Sequence, residues 1–574
     1  MRIVFIVLMV FVINGAKAGS ASIVTVGSDG ACDYPTITSA SFNEPDIGLL
    51  DIRVAKNFTL SSLQLLNNRE TIIRGGYETC ADDTPSGRTV LNGNSFSGAI
   101  FVTIESSNTA TYMNLYLLDL EISGGNASTK GGVISMTGGW QLILDNVFMH
   151  NNTSNQDGGA VFIKPSTNAS VLVPQVIIYR NSILSSNTAD NGGAIACDGL
   201  GNIFALNMVM TGNQARLNGG AVYVTNGCNF ELYGGGFFQG IILNNATAFG
   251  GGIHATNNAT IRIRSHYLSL AAVVSNSATH GGGISVSNEA TLIASDAVIN
   301  SNSATSTGGG IRSSAGHIVI ERVTAGAQCH SEVRCSTISG NSVSGIDSSF
   351  SGGGAIATYG GTLEVRGTYI ENNSAFYGSA IRARYMPLDG LTTQMTLVGN
   401  VFASNRNAPQ VVYLDETSAD IAFSTFVDNE DMIRVIELAY PTTSSDAHIV
   451  NVSGSIFEHP GSSVASAELT TAGVFPSGDC NRNEPDSTGD LIGQSRSTIS
   501  SVLFEDQASG DYRLQNNSAL VDWCNWSYLG SDSDYSANGL PRPIDNSISN
   551  LHGTYDLGGL ERYELDGIFS DDFD

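Results

Sequence analysis

Two markers that repeat in a fixed order constrain the fold of this chain more than any other feature. The first is a glycine pair followed, in most copies, by a small and then an apolar residue; the apolar residues are Ile134, Val161, Ile195, Val222, Ile253, Ile284, Ile311, Ile356 and Ile381. The second is an apolar residue followed three positions later by asparagine, at Asn151, Asn187, Asn213, Asn245, Asn276, Asn302, Asn341, Asn373, Asn405 and Asn429. Self-similarity at steps of 25 to 45 residues indicates stacked repeats.

The segments between the markers predict β-strands. Stretches such as "ATIRIRS" and "GTLEVRGTYI" alternate apolar and polar residues with a period of two, and no convincing helical period is present. A unit of a few short strands cannot bury its apolar face alone, whereas stacked units can. A propeller blade typically needs about 40 residues or more and four strands. The sequence therefore predicts an all-β chain, a right-handed parallel β-helix.

Composition and charge exclude two classes of protein. Charged residues make up 14% and apolar residues 41% of the chain, and a disordered chain would be more charged and less apolar. The formal net charge is −27, and the only lysines are Lys17, Lys56, Lys130 and Lys164. A grip on the nucleic-acid backbone needs clustered lysine and arginine, so nucleic acid is not an expected partner.

The first residues, "MRIVFIVLMVFVINGAKA", predict a secretory signal peptide over residues 1–18. The apolar run covers residues 3–13 and is short for a membrane span, which needs about 20 residues. No later stretch is long and apolar enough for one. We therefore expect an exported protein, extracellular or on the outer cell surface, without a transmembrane segment after cleavage.

Eight cysteines in an exported chain predict disulfides, although eight allow 105 connectivities. Pairing neighbours is the simplest hypothesis, and it joins Cys32 with Cys80, Cys329 with Cys335 and Cys480 with Cys524. No close spacing typical of a zinc site is present. Cys197 falls on an inward position two residues after the aligned Ile195, so it is expected to be buried, as a free thiol or bonded to a neighbouring coil. Cys228 is left without an assigned partner.

The two markers resemble the GGA[IV] and F-x-x-N repeats of chlamydial polymorphic outer-membrane proteins, within the pectin-lyase-like parallel β-helix superfamily. Further similarity lies in "VGSDGACDYPTITSA" and "TIIRGGYETCADDTPSGRTVLNG" near the beginning. The segments "SGDYRLQNNSALVD", "NGLPRP" and "YDLGGLERYE" near the end resemble the same exported bacterial group. The resemblance covers most of the chain and implies the fold and a cell-surface location. It implies little about activity.

The repeated glycines and asparagines are interpreted as structural. Glycine permits a tight turn, a positive φ and close approach to the next coil, and asparagine can occupy a left-handed turn and hydrogen-bond along the stack. A phosphate-binding loop would need a following helix, which the sequence lacks.

Alternation places the residue after each aligned apolar position outward. This column contains aromatic rings, a histidine and two arginines, which is typical of a carbohydrate-binding face. Its glycan-binding candidates are Phe162, Tyr223, His254, Arg312 and Arg382. The alternative is an ordinary solvated face with scattered aromatic residues.

Catalytic candidates are weaker. Polysaccharide lyases of this fold hold Ca²⁺ with acidic residues and use a nearby arginine or lysine as base, and the related hydrolases use clustered aspartates. The candidates here are Asp157, Asp190 and His280, but no neighbouring repeats clearly supply the two groups that acid–base chemistry needs. No cofactor is predicted beyond the Ca²⁺ that a lyase would use. Asp532, Asp534 and Asn538 place oxygen ligands close together without the full calcium-loop spacing, so a turn is the preferred interpretation.

We therefore divide the chain into a signal peptide (1–18), an N-terminal cap with the first coils (19–105), the β-helix repeats (106–460) and a C-terminal capping segment with an acidic tail (461–574). Two functions remain. The preferred hypothesis is a non-catalytic adhesin or glycan-binding protein acting on extracellular polysaccharide or a cell-surface glycan. The alternative is a polysaccharide lyase or glycoside hydrolase.

Overall fold

The computed structural model confirms the all-β prediction, because short strands stack coil upon coil into a parallel β-helix. It describes residues 21–323 (without 46–47, 59, 61–63, 67–68, 97–99, 104–110, 235–238 and 266–269), 336–430 (without 347–350 and 387–390), 434–439, 448–458, 463–467, 474–477, 481–484, 502–521, 523, 537 and 555–560. The signal peptide expected over 1–18 lies outside these residues, as do Cys329, Cys335, Cys480, Cys524, Asp532, Asp534 and Asn538.

The strands form four rows along the stack, and every pairing within a row is parallel. Row 1 follows the glycine pairs and contains Gln64–Leu66, Phe101–Thr103, Ile134–Thr137, Val161–Lys164, Ile195–Asp198, Val222–Thr225, Ile253–Thr256, Ile284–Ser287, Ile381–Arg384, Gln410–Asp415, Arg434–Ala439 and Ser463–Ala467. Row 2 contains Ser22–Val26, Leu50–Ala55, Thr71–Tyr77, Met113–Leu118, Trp140–Asp145, Gln175–Tyr179, Asn202–Leu206, Asn229–Tyr233, Thr260–Arg264, Thr291–Ser295, Thr393–Val398, Thr417–Ala422, His448–Ser453 and Val474–Ser477. Two longer strands, Ile311–Glu321 and Ile356–Arg366, belong to rows 1 and 2 at once.

Row 3 contains Thr89–Phe96, Leu120–Ala127, Phe148–His150, Ile183–Ser185, Val209–Thr211, Gly240–Ile242, Ala272–Val274, Val298–Asn300, Thr337–Ser339, Tyr369–Glu371, Val401–Ala403, Thr425–Val427, Ile456–Glu458 and Arg482–Glu484. Row 4 precedes the glycine pairs and contains Thr153–Ser154, Thr188–Asn191, Gln214–Asn218, Asn245–Ala246, Ser277–His280, Ser303–Thr307 and Ser342–Val343. Parallel pairing thus runs from Ser22 to Glu484.

Alternation explains the core. The aligned apolar residues of row 1 point inward and are fully buried, as Ile253 and Ile284 illustrate in adjacent coils. The inward residues of rows 2 and 3 meet them, so one apolar core runs through the described coils. One short helix, Ile37–Asn43, lies outside the rows; a capping box between Thr36 and Ser39 begins it, and with seven residues it is too short to show a helical period.

The asparagine marker recurs because its side chains form a hydrogen-bonded ladder inside the stack. Its members are Asn152, Asn187, Asn213, Asn244, Asn276, Asn302, Asn341, Asn373, Asn405 and Asn429. Asn276, for example, donates from Nδ2 to Asn302 Oδ1 and to the Ile241 carbonyl, both at 3.0 Å. Its Oδ1 accepts from the Nδ2 and the backbone N of Asn244. Because all four hydrogen-bonding positions are filled, the hydrogen bonds offset the cost of burying the amide.

Two details of the asparagine prediction were wrong. Where two asparagines are adjacent, the ladder uses Asn152 and Asn244, rather than Asn151 and Asn245. The left-handed residue is also the one before the ladder asparagine, as at Asn151 with φ 53° and at Leu243 with φ 58°. The physical reason is that the sharp turn at the preceding residue is what directs the asparagine side chain into the stack.

The glycine turns hold neighbouring coils together, as predicted. Gly281 has φ +64°, which favours glycine, and Gly282 lies against the next coil. A Cβ atom on Gly282 would lie 2.3 Å from the Ser303 carbonyl oxygen and 2.4 Å from that of Gly309. The turn therefore brings the ends of rows 4 and 1 close together in every regular coil.

Two disulfides are present among the described residues. Cys32 bonds to Cys80, which is the expected neighbouring pair. Cys197 bonds to Cys228, so Cys197 takes the second of its two expected states and links adjacent coils. The described part of the chain also contains no helix long and apolar enough to span a membrane.

The C-terminal segment contributes the last strands of rows 1 to 3, and its described residues from 502 onward lie along the flank of the stack. The strands Phe504–Asp506 and Asp511–Leu514 pair antiparallel around the 3₁₀ turn Gln507–Ser509. Their apolar side chains cover the outer face of row 3. The backbone N–H of Gly558 donates to the Gly454 carbonyl at 2.8 Å.

Candidate functional site

Two columns of side chains converge at the glycine turns, and we call the surface along this corner the groove and the two columns its walls. One wall consists of the residues that precede the glycine pairs: Lys130, Asp157, Asn191, Asn218, Phe249, His280, Thr307, Gly352 and Tyr377. The other wall is the outward column of row 1: Ser135, Phe162, Ala196, Tyr223, His254, Ser285, Arg312, Ala357, Arg382 and Tyr413. Contacts across the corner connect them, such as the stacked rings of Phe249 and His254, whose centroids are 5.6 Å apart.

The five glycan-binding candidates all lie in this groove, but the expectation of an exposed strip was wrong for three of them. Phe162, His254 and Arg382 are only 2%, 5% and 1% exposed. Tyr223 and Arg312 are half-buried. The reason is the tight glycine turn, which folds the opposite wall over the outward column. The rings that reach the solvent are half-buried and come from both sides of the corner: Tyr223, Phe249, Tyr359, Tyr377 and Tyr413.

The groove begins with a charged section around Lys130. Its Nζ lies 2.9 Å from Asp157 Oδ2, 3.6 Å from Asp198 Oδ2 and 4.4 Å from the ring centroid of Phe162. Burial alone lowers the pKa of Lys130, but the contacts with Asp157 and Asp198 outweigh burial, so its pKa lies above the usual value. The lysine is therefore held as an ammonium between two carboxylates.

Amide side chains extend from both carboxylates and surround a cavity of about 200 Å³. Asn191 donates to Asp157 Oδ1 and Asn218 donates to Asn191 Oδ1, both at 2.9 Å. On the other side, Asn226 donates to Asp198 Oδ1 at 2.8 Å. The lining residues are Asp157, Phe162, Asn191, Ala196, Asp198, Tyr223, Thr225, Asn226 and Asn257. A ring beside a row of amides is a surface that suits sugar rings and hydroxyl groups.

The central section combines aromatic rings with one arginine. Phe249 stacks on His254 and on His280, and the Arg312 guanidinium lies 4.9 Å from the centroid of Phe249 and 5.8 Å from that of Tyr359. Burial, with a smaller contribution from Arg312, lowers the pKa of His254 to about 3 and that of His280 to about 4. Both imidazoles are therefore neutral near pH 7, and Arg312 is the charged group of this section.

The last section of the groove also holds an arginine beside aromatic rings, and this arginine forms a hydrogen bond as well. The Arg382 guanidinium lies between the rings of Tyr377 and Tyr413, at 5.7 and 5.5 Å from their centroids, and it donates to the Ser351 carbonyl. Next to it, Arg384 forms an ion pair with Asp415 at 2.9 Å.

The catalytic candidates are not brought together. Asp157 and His280 lie on the same wall but four coils apart, which at about 4.8 Å per coil is roughly 19 Å. Asp190 pairs with Arg216 at 2.6 Å. The sequence reasoning missed Asp198, which meets Lys130 although it lies two coils further along. The sequence signal for it was the second outward position of row 1, a column that holds the acids Asp198 and Asp415.

Both groove aspartates have polar contacts on each of their two carboxylate oxygens. Asp157 is engaged by Lys130 and Asn191, and Asp198 by Lys130 and Asn226. Among the described residues, the one cluster with the ligand spacing of a metal site is Asp29 with Cys32 and Cys80, whose sulfurs are joined in a disulfide. A disulfide sulfur does not offer the thiolate that metals bind.

No family model matches the chain, and no curated protein matches it in sequence.

Proposed function

We propose that the chain is an exported, cell-surface protein that binds a polysaccharide along the groove without cleaving it, as an adhesin or glycan-binding protein. The observation that supports this proposal is the succession of half-buried rings, from Tyr223 to Tyr413, beside rows of amide side chains. Aromatic faces pack on the apolar faces of sugars, and amides bind hydroxyl groups. A groove that repeats with every coil fits a ligand that itself repeats.

The resemblance to polymorphic outer-membrane and pectin-lyase-like repeats supports the location. The motifs quoted for it recur through the coils that build the groove. Export is supported by the N-terminal pattern of a signal peptide.

The alternative function, a polysaccharide lyase or hydrolase, is favoured by one observation. Asp157 and Asp198 approach Lys130 at the edge of the 200 Å³ cavity, and two carboxylates with a base are the groups that such chemistry uses. Two features argue against it. The raised pKa of Lys130 makes it a poor base, and both carboxylates already contact Lys130 and accept a hydrogen bond from an asparagine.

One screen separates the two functions. Purified protein is tested against a polysaccharide panel with and without Ca²⁺, and both retention and newly formed unsaturated or reducing ends are recorded. Retention without new ends is expected. New ends that disappear in Asp157→Asn would establish the enzyme instead, and the absence of any retention would refute the binding proposal.

Ring variants then locate the binding surface. Tyr223→Ala and Tyr377→Ala should each lower the affinity for the retained polysaccharide by between about twofold and tenfold, because each removes a stacking ring. Tyr179→Ala is the matched control, since Tyr179 is a half-buried tyrosine on the outer face of row 2. Equal losses in all three variants would place the ligand elsewhere.

A further inference from the structure

The central section of the groove contains an arginine without an acidic partner. Among the described residues, Arg312 forms no ion pair and no hydrogen bond. Its guanidinium makes cation–π contacts with the rings of Phe249 and Tyr359. Its Nε is shielded from solvent, while the side chain as a whole is half-buried. Removing a guanidinium from water without an anion is costly, so this position favours a negatively charged partner.

The neighbouring positions are also incompletely satisfied. His254, Ser285 and Arg312 are successive rungs of one column. In the described part of the chain, His254 Nδ1, Ser285 Oγ and Arg312 Nε are all shielded from solvent and lack a hydrogen-bond partner. His254 is 5% and Ser285 0% exposed. Three consecutive rungs thus leave polar atoms unpaired, although such atoms are normally satisfied.

Among the described residues, no acidic side chain lies in the two outward columns of row 1 at this section of the groove. In the second outward column of row 1, Asp198 is followed by Thr225, Thr256, Ser287, Ser314, Tyr359 and Arg384 before the next acid, Asp415. Asp198 contacts Lys130 and Asp415 pairs with Arg384, so both acids already have a cation. In a chain with a net charge of −27, the centre of the groove is cationic.

We propose that Arg312 binds an acidic group, a carboxylate or a sulfate, carried by the polysaccharide, and that the ligand of the groove is therefore an anionic polysaccharide. This inference rests on the proposed binding function and adds the class of ligand. The planar guanidinium presents paired donors to such a group, and Ser285 and the neutral His254 are the adjacent polar groups. The rings of Phe249 and Tyr359 keep the guanidinium in place.

The test compares acidic polysaccharides with their neutral counterparts. Hyaluronan is compared with carboxyl-reduced hyaluronan, and dextran sulfate with dextran, so that each pair keeps its backbone, each second member is neutral, and the two pairs separate carboxylate from sulfate. Polysaccharides retained in the larger panel are treated in the same way. Removing the acidic group is expected to weaken binding by about tenfold or more, and added NaCl should weaken it further.

Three variants assign the effect to the arginine. Arg312→Met should cause the same loss of about tenfold on the acidic polysaccharide and no loss on its neutral counterpart. Arg312→Lys should recover part of the affinity because it keeps the charge but not the paired donors. Arg262→Met removes an arginine from the outer face of row 2 and should leave binding unchanged.

The outcomes distinguish the two proposals. Equal binding of neutral and acidic forms, or an unchanged affinity in Arg312→Met, overturns the anionic ligand and leaves polysaccharide binding intact. Retention of no polysaccharide by the unaltered chain overturns both. Folding is checked by thermal unfolding, in which Arg312→Met should be at least as stable as the unaltered chain, because no acid loses its partner.

Discussion

At the scale of single residues, the asparagine ladder is the part of the fold that depends most strictly on the identity of each side chain. The amides between the two ends of the ladder fill all of their hydrogen-bonding positions with atoms of the adjacent coils, as Asn276 does with Asn244 and Asn302. Loss of one member therefore leaves a donor or an acceptor unpaired in a neighbour, and not only at the altered position.

A pair of adjacent asparagines provides a direct test. Asn244→Ala should lower the free energy of unfolding by about 2 kcal/mol or more, because buried groups of Asn213 and Asn276 lose their partner. Asn245→Ala removes an exposed side chain, and its effect should stay within about 1 kcal/mol. Urea unfolding of both variants gives the comparison. Similar costs for the two would contradict the assignment of Asn244 to the ladder.

The buried histidines should make stability depend on pH. Burial holds the pKa of His254 near 3, whereas in the unfolded chain it is about 6.5. Between these values the unfolded chain binds a proton that the folded chain does not, so the folded state loses stability as pH falls from about 6.5 towards 3. His254 alone should cost of the order of 3 kcal/mol at pH 4.

The variant His254→Phe keeps a ring in the stack but cannot titrate. The decrease in unfolding free energy between pH 7 and pH 4 should be smaller in this variant than in the unaltered chain. Chemical unfolding at both pH values measures the difference. The remaining decrease contains the contribution of His280, whose pKa is held near 4. Identical decreases in the two proteins would show that His254 is already protonated, or solvated, in the folded state.

At the scale of elements, local spacing predicts the rows but not the shape of the corner between them. The period of two and the glycine pairs were sufficient to place Ile253 and Ile284 in the core. The groove depends instead on the angle at which row 4 meets row 1, and that angle folds Phe249 over His254. No periodicity encodes it, so the sequence placed the glycan-binding candidates correctly in one column but predicted them to be exposed.

Contacts between coils were equally hard to predict where more than one residue satisfies the pattern. Asn244 and Asn245 both fit the spacing of the marker, and the ladder selects the first. Lys130 reaches Asp198 two coils away because the lysine side chain is long enough to extend along the corner. The bond between Cys197 and Cys228 follows from the register of the coils, which the number of cysteines does not determine.

At the scale of the whole molecule, each coil contacts mainly its two neighbours, and the part of the C-terminal segment from residue 502 onward is the main exception. Coils contact their neighbours, whereas the segment crosses several coils and covers the outer face of row 3 between Tyr369 and Ile456. A Cβ atom on Gly559 would lie 3.1 Å from the Val401 side chain, so the segment approaches the row closely. It therefore couples coils that would otherwise separate independently.

A charge placed under this segment tests the coupling. Val401→Asp puts a carboxylate at a fully buried position, where an unpaired charge should cost about 3 kcal/mol or more and release the segment. Val209→Asp alters the same outward column of row 3 where it is half-exposed, and the cost there should be near 1 kcal/mol or less. Limited proteolysis of residues 502–560 should be faster in the first variant alone, since only there does the segment lose its apolar contact. Equal protection in both variants would mean that the segment is held by bonds such as that between Gly558 and Gly454, and not by burial against row 3.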